Sequence, residues 1–140
     1  METADIVLVA TSGDGILNGR LSWGEISPEE DPVFVTVEFG GSRYEAVAET
    51  YFEALVSVRR DLEALGFYPK CNGALLNVYP SGMCLSMGEG RKAYRLTRGK
   101  HALMKDLVDI FGEPEGEDFE LVTVEEQKRF FDEWIDSPKR

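Results

Sequence analysis

Gly40-Gly41 separates two runs that both read as strands, Val33-Phe-Val-Thr-Val-Glu-Phe39 and Ser42-Arg-Tyr-Glu-Ala-Val-Ala48. β-Branched and aromatic residues suit the pleated backbone, and two glycines supply the positive φ angles that a tight hairpin turn of the primed type requires. An antiparallel hairpin follows, and with it a chain that is not all helical. Directly after it the period changes. From Glu49 to Leu65, Phe52, Leu55, Val56, Arg59, Leu62 and Leu65 recur with the spacing of one helix face, and Gly66 stands where a helix end favours a left-handed residue.

The remaining segments extend this alternation. Ile6 to Ala10 and Ile16 to Trp23 flank the turn cluster Thr-Ser-Gly-Asp-Gly at 11–15 and predict a first hairpin. Ser27-Pro-Glu-Glu-Asp-Pro32 carries two prolines and three acids, which predicts a solvated loop without ladder pairing. Leu75 to Tyr79, Met83 to Met87 and Arg91 to Thr97 are separated by Pro80-Ser-Gly82 and Gly88-Glu-Gly90, a layout expected to give two or three strands with tight turns. Ala102 to Phe111 repeats Leu103, Leu107, Val108 and Phe111 and is closed by Gly112, which predicts a short helix. Residues 112–118 form an acidic loop. Thr123 with Glu126 makes a capping box for a last helix over roughly 124–136, with Val124, Gln127, Phe130, Phe131 and Trp134 along one side.

Hairpins outnumber any strand–helix–strand unit. The fold class is therefore a single α+β domain spanning 1–140, with an antiparallel sheet of about five or six strands and three helices covering one or both faces. A chain of 140 residues buries enough surface to fold without disulfides or metal.

Charge bears on partners rather than on fold. The formal net charge is −11, yet residues 71–100 hold five Lys and Arg against one acid. Acidic balance favours a basic partner and disfavours direct nucleic-acid binding. The N-terminal Met-Glu-Thr-Ala-Asp has no basic leader region, and Ile6–Ala10 is far shorter than a membrane span, so a cytoplasmic protein without membrane attachment is expected. Cys71 and Cys84 stand thirteen residues apart without a Cys-x-x-Cys pair, and His101 is the single histidine. Reduced structural thiols and no metal or cofactor are the expectation.

Several constellations invite a chemical reading. Gly82 to Lys92 is glycine-rich and ends in Arg91-Lys92, a composition that can cradle an anion, but Glu89 follows Gly88 where a phosphate loop needs Lys. A glycine-turn hairpin accounts for the same residues. Arg91, Lys92 and Arg95 remain the candidate anion-binding set, with pairing to nearby acids as the alternative. His101 lacks an adjacent nucleophile and orienting acid, and Ser81 in Pro-Ser-Gly-Met lacks the first glycine of a nucleophile elbow. Glu29, Glu30 and Asp31, together with Glu113, Glu115, Glu117 and Asp118, concentrate negative charge on two loops, where their field can steer a basic partner.

At Tyr79-Pro-Ser-Gly-Met83, Met87-Gly-Glu-Gly90, Ala93-Tyr94 and Leu107-Val-Asp-Ile-Phe111 the chain looks like small bacterial proteins of no assigned activity. In size, acidity and lack of a catalytic set it is similar to the immunity proteins of bacterial contact-dependent and polymorphic toxin systems, which bind and neutralise one toxin domain, often a basic nuclease. That likeness implies a toxin domain as partner and carries no residue assignment. The expected function is binding rather than catalysis, with the two acidic loops facing the partner. Small-ligand or regulatory anion binding by Arg91, Lys92 and Arg95 is the alternative, and an enzyme of unrecognised type the third reading.

Overall fold

The computed structural model describes the backbone of residues 1–140 and the side chains of all but Glu30 and Asp31. Strands β1 (Glu2–Ala10) and β2 (Ile16–Ser27) pair antiparallel from Glu2 opposite Trp23 to Val9 opposite Ile16. β3 (Glu30–Phe39) and β4 (Ser42–Ala48) form the Gly-Gly hairpin, with Gly40 at φ +56° and Gly41 at φ +79°, both positive as a type I′ turn demands.

The expected loop over 27–32 is shorter than its composition suggests. β2 runs to Ser27, which pairs with Glu30, so only Pro28 and Glu29 form the turn. Pro32 lies inside β3, beside the register shift between Glu25 and Ser27, and β4 begins pairing only at Val33. A missing donor is tolerated on a stretch with one neighbouring strand and a bulge.

Helix α1 (Tyr51–Ala64) starts where the Thr50 hydroxyl accepts the Glu53 N–H at 3.2 Å and ends at Gly66. Its apolar stripe packs on β3 and β4. Leu8, Val33, Val35, Val37, Leu55, Val58 and Leu62 are fully excluded from solvent between helix and sheet. β5 (Phe67–Pro69) returns antiparallel to β1, completing a five-stranded sheet in the order β4-β3-β2-β1-β5.

A 3-10 turn at Asn72–Ala74 leads to the second half of the chain. A Cβ at Gly73 would stand 2.5 Å from Leu55 Cδ2 and 3.1 Å from Ile110 Cβ, so only glycine lets this turn lie on α1. β6 (Val78–Tyr79), β7 (Lys92–Arg95) and β8 (Leu107–Asp109) form a three-stranded antiparallel sheet. The core continues across the two halves: Trp23 stacks on Phe111 with centroids 4.4 Å apart, and Tyr51 meets the same ring edge-on.

Two expectations are corrected here. Met83–Met87, read as a strand in a glycine-turned hairpin, belongs to helix α2 (Gly82–Met87), because the Ser81 hydroxyl accepts the Cys84 N–H at 3.1 Å and caps a helical turn. The segment 102–111, read as a helix, is a 3-10 turn at Met104–Asp106 followed by β8. Asp106 turns back to accept the Leu103 N–H, and Val108 then pairs opposite Ala93, so ladder bonds to β7 win over a weak helical stripe.

Helix α3 (Val124–Asp136) follows the expected capping box, with Thr123 Oγ1 accepting from the Glu126 N–H at 3.1 Å. Val124, Gln127 and Phe130 are buried against the rest of the fold. Phe131 stacks on Tyr79 at 4.1 Å, and Trp134 is only partly covered. No helix among the described residues is long and apolar enough to cross a membrane.

Candidate functional site

The loop 113–118 is exposed at its carboxylates and tethered at both ends. Before it, the N–H groups of Gly73 and Asn72 donate to the carbonyls of Ile110 and Gly112 at 2.8 and 2.9 Å. After it, the Leu76 N–H donates to the Glu120 carbonyl at 2.9 Å, and Leu75 and Leu121 form an isolated bridge. Pro114 is buried between these anchors and holds the loop down. The acidic tip is thus carried by a fixed frame.

Glu115, Glu117 and Asp118 border an open cleft of about 430 Å³ with Asn77, Arg95 and Phe119. Among the described residues no Lys or Arg nitrogen lies within 4.0 Å of these three carboxylates, and Glu113 meets Lys70 Nζ only at 3.7 Å while remaining 77% exposed. Such carboxylates keep their hydration and their field, so they attract a cation without first having to release one.

The other acidic group lies elsewhere. Glu29 is exposed in the β2–β3 turn, and its neighbour Pro28 borders a different cleft, with Glu2, Trp23, Glu25 and Tyr51. The side chains of Glu30 and Asp31, expected beside Glu29 as partner-facing acids, lie outside the described residues.

Arg91, Lys92 and Arg95 do not converge on one ligand position. Arg91 donates from Nε and Nη2 to both carboxylate oxygens of Asp109, at 3.2 and 3.1 Å, and from Nη1 to Glu2 at 2.9 Å, while lying over Trp23. Burial works against its charge, but the bonds and fields of Asp109 and Glu2 outweigh it and hold its pKa above the usual value. It is a tie between the two sheets. Lys92 is exposed on β7 opposite Asp109, and Arg95 turns toward the acidic cleft.

The remaining nucleophile candidates are placed plainly. Cys71 and Cys84 are both free thiols. Cys71 is wholly buried, and burial pushes its pKa up to about 11. His101 is exposed beside Arg98, Lys100 and Arg140. No group of three His, Cys, Asp or Glu side chains among the described residues is arranged to hold a metal ion.

No protein-family model and no curated protein sequence matches this chain.

Sequence reasoning missed two features. Arg59 and Gln127 are completely buried and bonded to one another; the signal was an arginine within the apolar stripe of α1 and a glutamine within that of α3. The second is a pair of clefts around residues 97–103, where Trp134 of α3 and Arg140 in the segment after it bond to that loop.

Proposed function

We propose that this protein acts by binding, as an immunity-type protein that captures and neutralises a basic toxin domain through the 113–118 loop. The observation that carries this reading is the tethered loop whose Glu115, Glu117 and Asp118 carboxylates, among the described residues, make no ion pair within 4.0 Å around an open cleft that Arg95 also borders. A guanidinium or ammonium group of a partner entering that cleft meets several carboxylate acceptors beside Phe119, whose ring already carries Lys70 Nζ at 5.6 Å from its centroid. Preset carboxylates lower the ordering cost of such an encounter.

Basic toxin domains encoded beside its gene are the partners to test. Reversal of Glu113, Glu115 and Glu117 to Lys slows association by about tenfold or more at low salt, since like charge then faces the partner. Raising the ionic strength slows wild-type association as well, while dissociation changes less. Binding by none of these domains, or association rates indifferent to both the triple reversal and salt, overturns the reading.

A further inference from the structure

Residues 91–105 contain Arg91, Lys92, Arg95, Arg98, Lys100 and Lys105 and no acid, in a chain with 26 acids against 15 Lys and Arg. Strand alternation sends Arg95 to the acidic cleft and its neighbours Tyr94 and Leu96 to the opposite side. Past the strand, loop 97–103 is tied to the C-terminal segment. Trp134 Nε1–H donates to the carbonyls of Thr97 and Lys100 at 3.1 and 3.2 Å, and the Arg140 N–H donates to the Gly99 carbonyl at 3.0 Å.

This closure produces two clefts that share the loop. One, of about 560 Å³, is bordered by Arg98, Lys100, His101, Leu103, Pro138 and Arg140. The other, of about 320 Å³, is bordered by Tyr79, Met83, Tyr94, Ala102, Phe131 and Trp134. Met83, Met87, Leu103 and Met104 all remain more than half exposed on the segments that form the two rims, an adaptable apolar surface with nothing packed on it. Among the described residues no carboxylate side chain borders either cleft. Of the acids close by in sequence, Asp132 pairs with Lys128 at 2.7 Å and Asp106 accepts the Leu103 N–H at 2.9 Å, while Glu133 meets Arg98 of the groove itself at 3.6 Å in an exposed pair that a ligand carboxylate can displace at little cost.

We propose that the two clefts form one docking groove for a short acidic segment of a partner polypeptide. One large apolar side chain of that segment sits among Tyr79, Tyr94, Phe131 and Trp134, and its carboxylates lie against Arg98, Lys100 and Arg140. Charge complementarity selects the occupant: a groove bordered by Lys100, Arg140 and Arg98, the last also meeting Glu133 in an exposed pair, is locally cationic on a molecule of net charge −11 and attracts a few local carboxylates, whereas a polyphosphate chain meets the repulsion of the whole protein. The ring geometry argues the same way. Tyr79 and Phe131 stack on each other, and Lys139 covers the Trp134 ring at 4.3 Å, so the groove offers edges and side-chain methyls to an apolar anchor rather than open faces to nucleic-acid bases. This surface is separate from the 113–118 loop, and either can hold while the other fails.

The test is selection of a displayed library of random short peptides on the full chain, followed by binding of a synthetic member of the enriched family in fluorescence anisotropy. The expected family pairs Asp or Glu residues with one large apolar residue. Its affinity falls by about tenfold or more in Arg98→Glu/Lys100→Glu and in Met83→Asp, and is unchanged in Asp14→Lys, an exposed turn position remote from both clefts. All these positions are exposed, and circular dichroism checks that each variant is folded. No enriched family, a family without acids, affinity indifferent to the double reversal, or an oligothymidylate that binds more tightly than the peptide overturns the proposal.

Discussion

Arg59 Nη1 donates to Gln127 Oε1 at 2.6 Å, joining α1 to α3 at a point where both side chains are sealed from solvent. The guanidinium also donates to the carbonyls of Gly73 and Val122, at 3.1 and 3.0 Å, and Gln127 Nε2 donates to the carbonyls of Gly73, Leu75 and Val78, each at 2.9 Å. Among the described residues no carboxylate completes the cluster: neutral acceptors solvate a buried cation, and burial pulls its pKa down from the usual value.

Truncating one member strands the other. Gln127→Ala is expected to cost about 3–5 kcal/mol in urea unfolding, because a buried charge loses its shortest acceptor and three carbonyls lose a donor. Replacing both with Met in Arg59→Met/Gln127→Met costs clearly less than the sum of the two single changes. Strict additivity in that cycle would show that the two side chains act independently.

The capping box at α3 is a smaller and cleaner case. Thr123→Ala removes the acceptor of the Glu126 N–H and lowers stability by about 1 kcal/mol. Thr123→Asn or Thr123→Ser keeps most of it, and an alanine variant with the wild-type urea midpoint would refute the cap.

Thiol chemistry separates the two cysteines. With a pKa of about 11, Cys71 is thiolate in only about one molecule in a thousand at pH 8, and it has no route to solvent. The native protein is expected to give one fast equivalent with a thiol reagent, from Cys84, and a second only on unfolding. Loss of the fast phase in Cys71→Ala rather than in Cys84→Ala would reverse the assignment.

Glu45 provides a pH signature. The Thr36 hydroxyl, bonded to it at 2.9 Å, and Arg43, at 2.8 Å, hold its pKa below the ordinary 4.5. The native state therefore binds a proton less readily than the unfolded chain, so the contribution is complete above the ordinary value and is lost as pH falls through the folded one. The site is largely exposed, which limits the effect to less than about 1 kcal/mol. The stability gap between wild type and Glu45→Gln should be present at neutral pH and close in acid; a gap that widens in acid would contradict the sign.

Where local chemistry decides structure, the chain could be read directly. The glycine turn at 40–41, the stripe of α1 and the Thr123 cap are each settled by residues within a few positions of one another. Met83–Met87 and Ala102–Phe111 are short apolar segments compatible with either period, and they were decided by the Ser81 cap and by the pairing of β8 with β7. Prolines misled at 27–32 because tolerance of Pro32 depends on where a neighbouring strand begins. The acidity of 113–118 was visible, but its tethering to residues 72–76 was not, and neither was the meeting of Arg98 with Arg140 around one cleft. Those are contacts between distant positions.

The Arg59 cluster also orders events in time. Its acceptors at Val122 and Gln127 lie 63 and 68 residues further along the chain. A nascent chain emerging from the ribosome can form the Gly-Gly hairpin and the helix that follows it, but it must leave that guanidinium in water until α3 is out. Sealing of this part of the interior is thereby deferred until Gln127 has been made, and a chain cut short before Gln127 leaves the guanidinium without its shortest acceptor.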